Sequence, residues 1–379
     1  MSGQDREYTS VEICAGAGGQ AVGLHNAGFH HRALIEIDEH ACSTLEINTA
    51  KQKWRDCAVL KRDLTGFDLR DLDPYLPERG LDLLSGGVPC PPFSVAGKQL
   101  GQDDERDLFP VMLDMAEELQ PRAVVIENVR GLLEPQHKFA SYRDQIEKRL
   151  EKAGYEILGW DVYEARDFGV PQLRPRAILV AMKEPAADFY KAPQGSTRIT
   201  TVAEALAESM RERYRKREQF GETARARAAY RKWLRKAEEK GTVAPTLVGG
   251  SKKHGGADLG PTRAKRAWAE LGVDAHGVAD DPDKVKDPER DLYGSLGPKL
   301  TVQQAALIQG FPPDWEFSGR KTAAYRQVGN AFPPPVAQAV GEAVIGALRK
   351  ADAQPGRASG PQGASAAGAA QSALIPLSA

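Results

Sequence analysis

Between residues 9 and 183 short apolar runs alternate with longer amphipathic stretches, and that rhythm admits few folds. The runs that read as strands are 10–14, 33–37, 58–63, 81–84, 124–127, 157–163 and 177–182. Helical patterns fall between them at 20–27, 39–49, 107–119 and 139–152. Strands that alternate with helices build a mostly parallel sheet with helical crossovers, an α/β architecture. Such a sheet binds ligands beyond the carboxyl ends of its strands, so the residues after each run are the first places to look for chemistry.

The rhythm stops near residue 186. A basic helical stretch, 210–240, leads to Gly249-Gly250-Ser251-Lys252-Lys253-His254-Gly255-Gly256 and a loop-rich segment ending near residue 291. Helical periodicity resumes at 300–310 and 334–348. The expected organisation is one domain made of 1–185 plus 299–350, with a smaller domain, 186–298, inserted between. Residues 351–379 are mostly Ala, Gly, Ser and Pro and are expected to form a disordered tail, because they cannot bury enough apolar surface to order themselves.

The chain carries a formal net charge of −1, but 22 Lys and Arg against 17 Asp and Glu give 186–298 a net +5 and leave −6 elsewhere. That asymmetry favours a polyanionic partner for the insert. Four cysteines (Cys14, Cys42, Cys57 and Cys90) in 379 residues do not read as a disulfide framework, and no Cys/His spacing suggests zinc. No run approaches the ~20 apolar residues of a membrane span. Met1 to Tyr8 is polar, without a secretory core. The expectation is a soluble, cytoplasmic chain with reduced thiols.

Several blocks carry candidate chemistry. Glu12-Ile13-Cys14-Ala15-Gly16-Ala17-Gly18-Gly19 reads as strand, glycine turn and helix start. Glycines let backbone approach a ligand and open a helix N-terminus toward it, although many such runs are only turns. Twenty residues beyond Gly16, Glu36 ends the next strand, where an acid can take ribose hydroxyls or stand solvated near a helix cap. Asp63 closes the third run, either facing an adenine amino group or as ordinary surface charge. Gly86-Gly87-Val88-Pro89-Cys90-Pro91-Pro92-Phe93-Ser94 delivers one thiol on a loop stiffened by prolines. Cys90 is either a nucleophile at the binding edge or inert packing in a tight turn.

Val124-Val125-Ile126-Glu127-Asn128-Val129 puts Glu127 at the end of a buried strand, close to Cys90 if the two strands are neighbours. Partial desolvation there would raise its pKa and let it donate a proton; a helix-capping carboxylate is the alternative. Gly169-Val170-Pro171-Gln172-Leu173-Arg174-Pro175-Arg176 points two guanidinium groups to one side of extended chain, suited to carbonyl or phosphate oxygens. Near the end, Leu300-Thr301 with Gln309-Gly310-Phe311-Pro312 is followed by Gly329-Asn330-Ala331-Phe332-Pro333-Pro334, a stiff turn able to cap a cofactor site.

In this order and at these separations the blocks resemble the DNA (cytosine-5)-methyltransferase family of bacterial modification enzymes, over about residues 9–183 and 299–345. The resemblance implies a Rossmann-like, S-adenosylmethionine-dependent methyltransferase sheet with a smaller, loop-rich target-recognition domain. It implies that Cys90 is the nucleophile, that Glu127 is the acid contacting cytosine, and that Arg174 and Arg176 hold the base and the active loop. Cofactor contacts are implied at Cys14, Gly16, Gly18, Gly19, Glu36, Ile37, Asp63, Leu64, Asn330 and Ala331. Departures are Cys14 for a common Phe, Glu12 for a frequent Asp, Leu173 and Pro175 where charge is frequent, and Phe332 for a usual Val. None removes a catalytic group.

The implied reaction needs these side chains. Cytosine C5 is a poor nucleophile, and thiolate addition at C6 makes it enamine-like. Glu127 would protonate N3 and Arg174 would contact O2, where charge develops. The base must leave the duplex stack, at a cost of roughly a few kcal/mol. DNA contacts are expected from Lys252, Lys253 and His254 in the glycine loop and from Arg263, Lys265 and Arg266 beyond it. The basic stretch (Arg211, Arg213, Arg215, Lys216, Arg217, Arg225, Arg227, Arg231, Lys232, Arg235 and Lys236) is either phosphate-binding or merely solvated helix surface. The expected partner is double-stranded DNA bearing a specific recognition sequence, with a cognate restriction endonuclease as functional counterpart. No membrane is expected, and a monomer suffices. A transfer RNA substrate, used by some similar family members, and a DNA-binding role without catalysis remain alternatives.

Overall fold

The computed structural model of the chain describes residues 6–89, 107–249 and 257–354. Its first part runs β1 (Tyr8–Ile13), α1 (Gly19–Ala27), β2 (Phe29–Glu36), α2 (Glu39–Lys51), β3 (Ala58–Lys61), β4 (Leu83–Gly86), α3 (Phe109–Leu119), β5 (Ala123–Val129), α4 (Ala140–Lys152), β6 (Glu156–Glu164) and β7 (Pro175–Met182). The seven strands form one sheet in the order β3-β2-β1-β4-β5-β7-β6. The first five are parallel to one another, and β7 is antiparallel to both β5 and β6. The chain leaves β1 toward one edge and returns at β4 toward the other, so a crevice opens between the carboxyl ends of β1 and β4.

Local sequence explains the elements. β1 is buried along its whole length, as a central strand covered on both faces must be. α1 begins at Gly18 in a left-handed conformation (φ +85°) that a side chain adopts only under strain. Asp38 caps α2 by accepting from the amides of His40 and Ala41. On one face of the sheet Leu24 and Ala27 of α1 pack with Val340 and Val344. On the other, Met112 and Met115 of α3 pack with Ile146 and Leu150 of α4.

The rest of the chain adds α5 (Val202–Glu218), α6 (Thr223–Lys240), α7 (Thr262–Glu270), α8 (Pro288–Asp291), α9 (Val302–Gln309), α10 (Lys321–Asn330) and α11 (Pro334–Asp352). The basic stretch expected as one helical run is a hairpin instead. α5 and α6 turn back on each other near Gly221 (φ +78°), because both have an apolar side that needs covering. The insert also lacks a core of its own: Met210, Tyr214, Trp233 and Trp268 share one apolar cluster with Ala305, Phe311, Trp315 and Tyr325. α11 runs two residues past the boundary expected at 350. Ala351 is buried there, and Asp352 pairs with Arg6 and Arg122. The remainder of the expected tail lies outside the described residues.

Candidate active site

A cavity of about 390 Å³ lies at the crevice, lined among others by Glu12, Cys14, Gly16, Gly19, Glu36, Ile37, Glu127, Asn330 and Ala331. Cys14 (φ +53°) and Gly16 (φ +54°) fold the turn tightly enough for the Gly16 amide to donate to Glu36 Oε2 at 2.7 Å. The other oxygen of Glu36 accepts from the amides of Ile37 and Asp38, both at 2.8 Å. Three backbone donors thus fix one carboxylate in the cavity wall, and Ile37 beside it is 59% exposed. Trp315 Nε1 donates to Ala17 O at 3.0 Å and locks the turn to the last part of the chain. Asp63 and Leu64 are not among the cavity-lining residues. Asp63 is exposed and accepts from the Thr65 amide at 2.9 Å, whereas Leu64 is buried with the α3 side of the core.

Two lining groups were missing from the expected set. Glu12 and Gln20 are 1% and 4% exposed. Their Oε2 and Nε2 atoms have no hydrogen-bond partner among the described residues. Burial, with Glu36 adding to it, pushes the Glu12 carboxyl well above the usual carboxylate range. Unpaired buried polar atoms are costly, and these two mark places where a polar ligand is satisfied. Gln20, directly after the glycines, could have been found from its position; Glu12 in an apolar strand carried only the signal of being out of place.

At the other end of the cavity, β4 and β5 are adjacent parallel strands with Gly86 opposite Ile126. A Cβ on Gly87 would stand 2.9 Å from Glu127 Oε2, so glycine is what lets the chain leading to Cys90 pass that carboxyl. Asn128 Nδ2 donates to Val88 O at 2.9 Å, and the Leu108 amide donates to Pro89 O at 3.3 Å. These bonds hold both stems of the loop. Cys90 itself lies outside the described residues, as do Lys252, Lys253 and His254. The Glu127 side chain is 13% exposed and pairs with Arg176 Nε at 2.7 Å. Burial raises its pKa, and the nearby Arg176 and Arg174 oppose that rise without cancelling it.

The two arginines have different surroundings. Arg174 is 1% exposed; its Nη1 donates to Leu247 O at 2.8 Å and its Nη2 to Gly329 O at 2.9 Å. Arg174 therefore ties the insert to the turn before Asn330, and the guanidinium beside Glu127 belongs to Arg176. A second buried tie runs parallel to it. Gln172 Oε1 accepts from the Leu247 amide at 3.1 Å, Gln172 Nε2 donates to Ile308 O at 3.1 Å and to Gln309 Oε1, and Gln309 Nε2 donates to Ala331 O. Gly249 sits so close that a Cβ there would overlap the Asn330 side chain.

The model of the C-5 cytosine-specific DNA methylase family matches residues 8–346. This chain belongs to that family. It is 49% identical over 339 residues to the Type II methyltransferase M.NaeI of Lentzea aerocolonigenes, covering 89% of this chain and 75% of that relative. It is 46% identical over 350 residues to M.NgoMIV of Neisseria gonorrhoeae, covering 91% and 99%. The fold is shared with a prophage-encoded DNA modification methyltransferase of E. coli, at a TM-score of 0.58 and 19% identity, over 90% of this chain and 99% of that one.

In this methylase the described cations expected to meet DNA fall into distinct settings. Arg263 and Arg266 are exposed on α7. Lys265 is bonded to Asp258 Oδ2 at 2.9 Å. Arg213 is 2% exposed and spends its Nη1 donors on Lys299 O at 2.6 Å and Gln304 Oε1 at 3.1 Å, which makes it a strut between the insert and the segment that follows it.

Proposed function

We propose that this methylase is a sequence-specific DNA cytosine C5 methyltransferase that uses S-adenosylmethionine, works through a transient bond between Cys90 and cytosine C6, and serves a restriction–modification system. The observation that carries the reading is that one cavity runs from the glycine turn to Gly87 and Glu127, and Cys90 follows Gly87 by three residues in the sequence. The Type II names of its relatives support the restriction–modification role.

The cavity suits the cofactor. Glu36 would take the ribose hydroxyls, Ile37 would cover the purine, and the orphan atoms of Glu12 and Gln20 would meet polar groups of the amino-acid portion. Asp63 and Leu64, beyond the strand next to β2, are assigned to the purine edge. Bound there, S-adenosylmethionine supplies an electrophilic methyl group for C5. The protein's own work is to make C5 reactive. The Cys90 thiolate adds to C6, ring electrons shift toward N3, and Glu127, whose pKa burial raises, delivers its proton there. Arg176 orients Glu127 and faces the oxygen edge of the base, where its charge is useful as electrons accumulate. Arg174 is a positioning residue. Loss of the C5 proton to a base such as water, departure of the Cys90 thiolate and return of the N3 proton to the Glu127 carboxylate restore the aromatic ring and reset the acid.

Bisulfite sequencing of DNA from a methylation-free host expressing the chain tests this reading. Protected cytosines in a single sequence context are expected, and none with Cys90→Ser. Protection by the variant overturns the nucleophile; transfer to RNA alone overturns the DNA substrate.

A further inference from the structure

We propose that the cleft between the second half of α6 and residues 292–298 is an anion site that holds a phosphodiester of the bound duplex. This deepens the DNA-methylating reading and rests on it.

The cations of the helical hairpin divide by what they face. Arg211, Arg215, Lys216, Arg217, Arg225 and Arg227 each pair with a carboxylate, and so are neutralised within the insert. Arg231, Lys232, Arg235 and Lys236 are exposed and make no ion pair among the described residues. At positions i, i+1, i+4 and i+5 they cover one side of α6. The carboxylate of Glu270, at the end of α7, is taken by Lys240 at 2.6 Å.

Lys232 and Lys236 line a cleft of about 320 Å³ whose opposite wall is Gly294-Ser295-Leu296-Gly297, and among the described residues no acidic one lines it. Trp233, 2% exposed, is a third wall, and its indole N–H has no acceptor among the described residues. The ring atom bonded to that nitrogen, Cδ1, lies 3.4 Å from where a Cβ on Gly272 would stand, and Gly272 also borders the cleft. At the mouth, the Arg225 guanidinium lies 3.8 Å over the Tyr293 ring, where Glu289 holds it. Two ammonium groups without ion pairs and a buried donor without an acceptor border a cleft whose described lining holds no carboxylate. An unmet buried donor is expensive, and an anionic oxygen satisfies it together with the lysines. The substrate this family acts on supplies such oxygens along its whole length.

The test uses the full chain and a duplex containing its target, with binding followed by fluorescence anisotropy at several salt concentrations. In Lys232→Gln/Lys236→Gln the slope of log K against log salt should shrink by about 2, so that between about 50 and 200 mM salt wild type loses roughly tenfold more affinity than the variant. The methylated sequence and the affinity for S-adenosylmethionine should not change. Lys232→Arg/Lys236→Arg should restore the slope, which a packing defect would not. A wild-type slope in the glutamine variant overturns the proposal. Inorganic phosphate should displace duplex from wild type better than chloride at equal ionic strength but not from the variant, as competition for one cleft requires; equal displacement from both also overturns the proposal. Wild type that binds no duplex would instead overturn the DNA-methylating reading itself.

Discussion

At the scale of single residues, Glu127 is where burial and charge oppose each other most directly. Burial raises its pKa, so turnover that needs the protonated carboxyl should fall as pH rises and the proton is lost. Glu127→Gln cannot titrate or deliver a proton; kcat should drop by about 10²–10⁴-fold and the alkaline limb of its pH profile should vanish. An unchanged limb would assign it to another group. The thiols make a second prediction. Burial pushes Cys42 to about 11 and Cys57 to about 12, and Cys14 still higher. Iodoacetamide at neutral pH should therefore modify Cys90 first, with peptide mapping as the measurement; early labelling of Cys14 contradicts this. Glu36 and Glu127 stood out in the sequence because each follows an apolar run, although β5 continues two residues past Glu127. The separate surroundings of Arg174 and Arg176 were not. Alternation along a strand describes them poorly, since β7 starts only at Pro175, and the partners of Arg174 lie 73 and 155 residues away.

At the scale of elements, α1 and α11 meet through glycines. A Cβ on Gly23 would overlap Pro334 O, and one on Gly341 would stand 2.8 Å from Ala27 Cβ. Gly23→Ala should destabilise the fold by about 1–3 kcal/mol through overpacking, read as a lower melting temperature, with cofactor affinity falling because α1 carries the glycine turn. A neutral Gly23→Ala would mean the helices separate freely. The alternation of strands and helices announced the sheet, and its ends differ from expectation by a few residues. The hairpin of α5 and α6 was hidden because both helices are basic and amphipathic, and only one glycine, Gly221, separates their patterns. Likewise the shared core of insert and catalytic domain depends on contacts between distant segments that no local pattern encodes.

At the scale of the whole molecule, acid sensitivity should trace to the packing of α1 on the sheet. His31 is buried between Ser10 Oγ and Ala21 O and stacked on Trp54, and burial lowers its pKa to about 4 from 6.5. Between those values the unfolded chain binds a proton that the folded chain refuses, so stability falls as pH drops through that window. The loss at pH 5 relative to pH 7 is about 2 kcal/mol from this residue, measurable as a lower urea midpoint. His31→Gln should flatten that dependence, and a midpoint insensitive to pH in wild type would contradict it. Arg174 and Gln172 grip Leu247, and Gly249 lies flush against Asn330. Transplanting a foreign specificity segment into this scaffold is consequently not a modular exchange. A graft that replaces residue 247 removes the shared partner of both buried ties, and a chimera bearing anything larger than glycine at 249 should push Asn330 out of the cavity wall before it ever gains a new target.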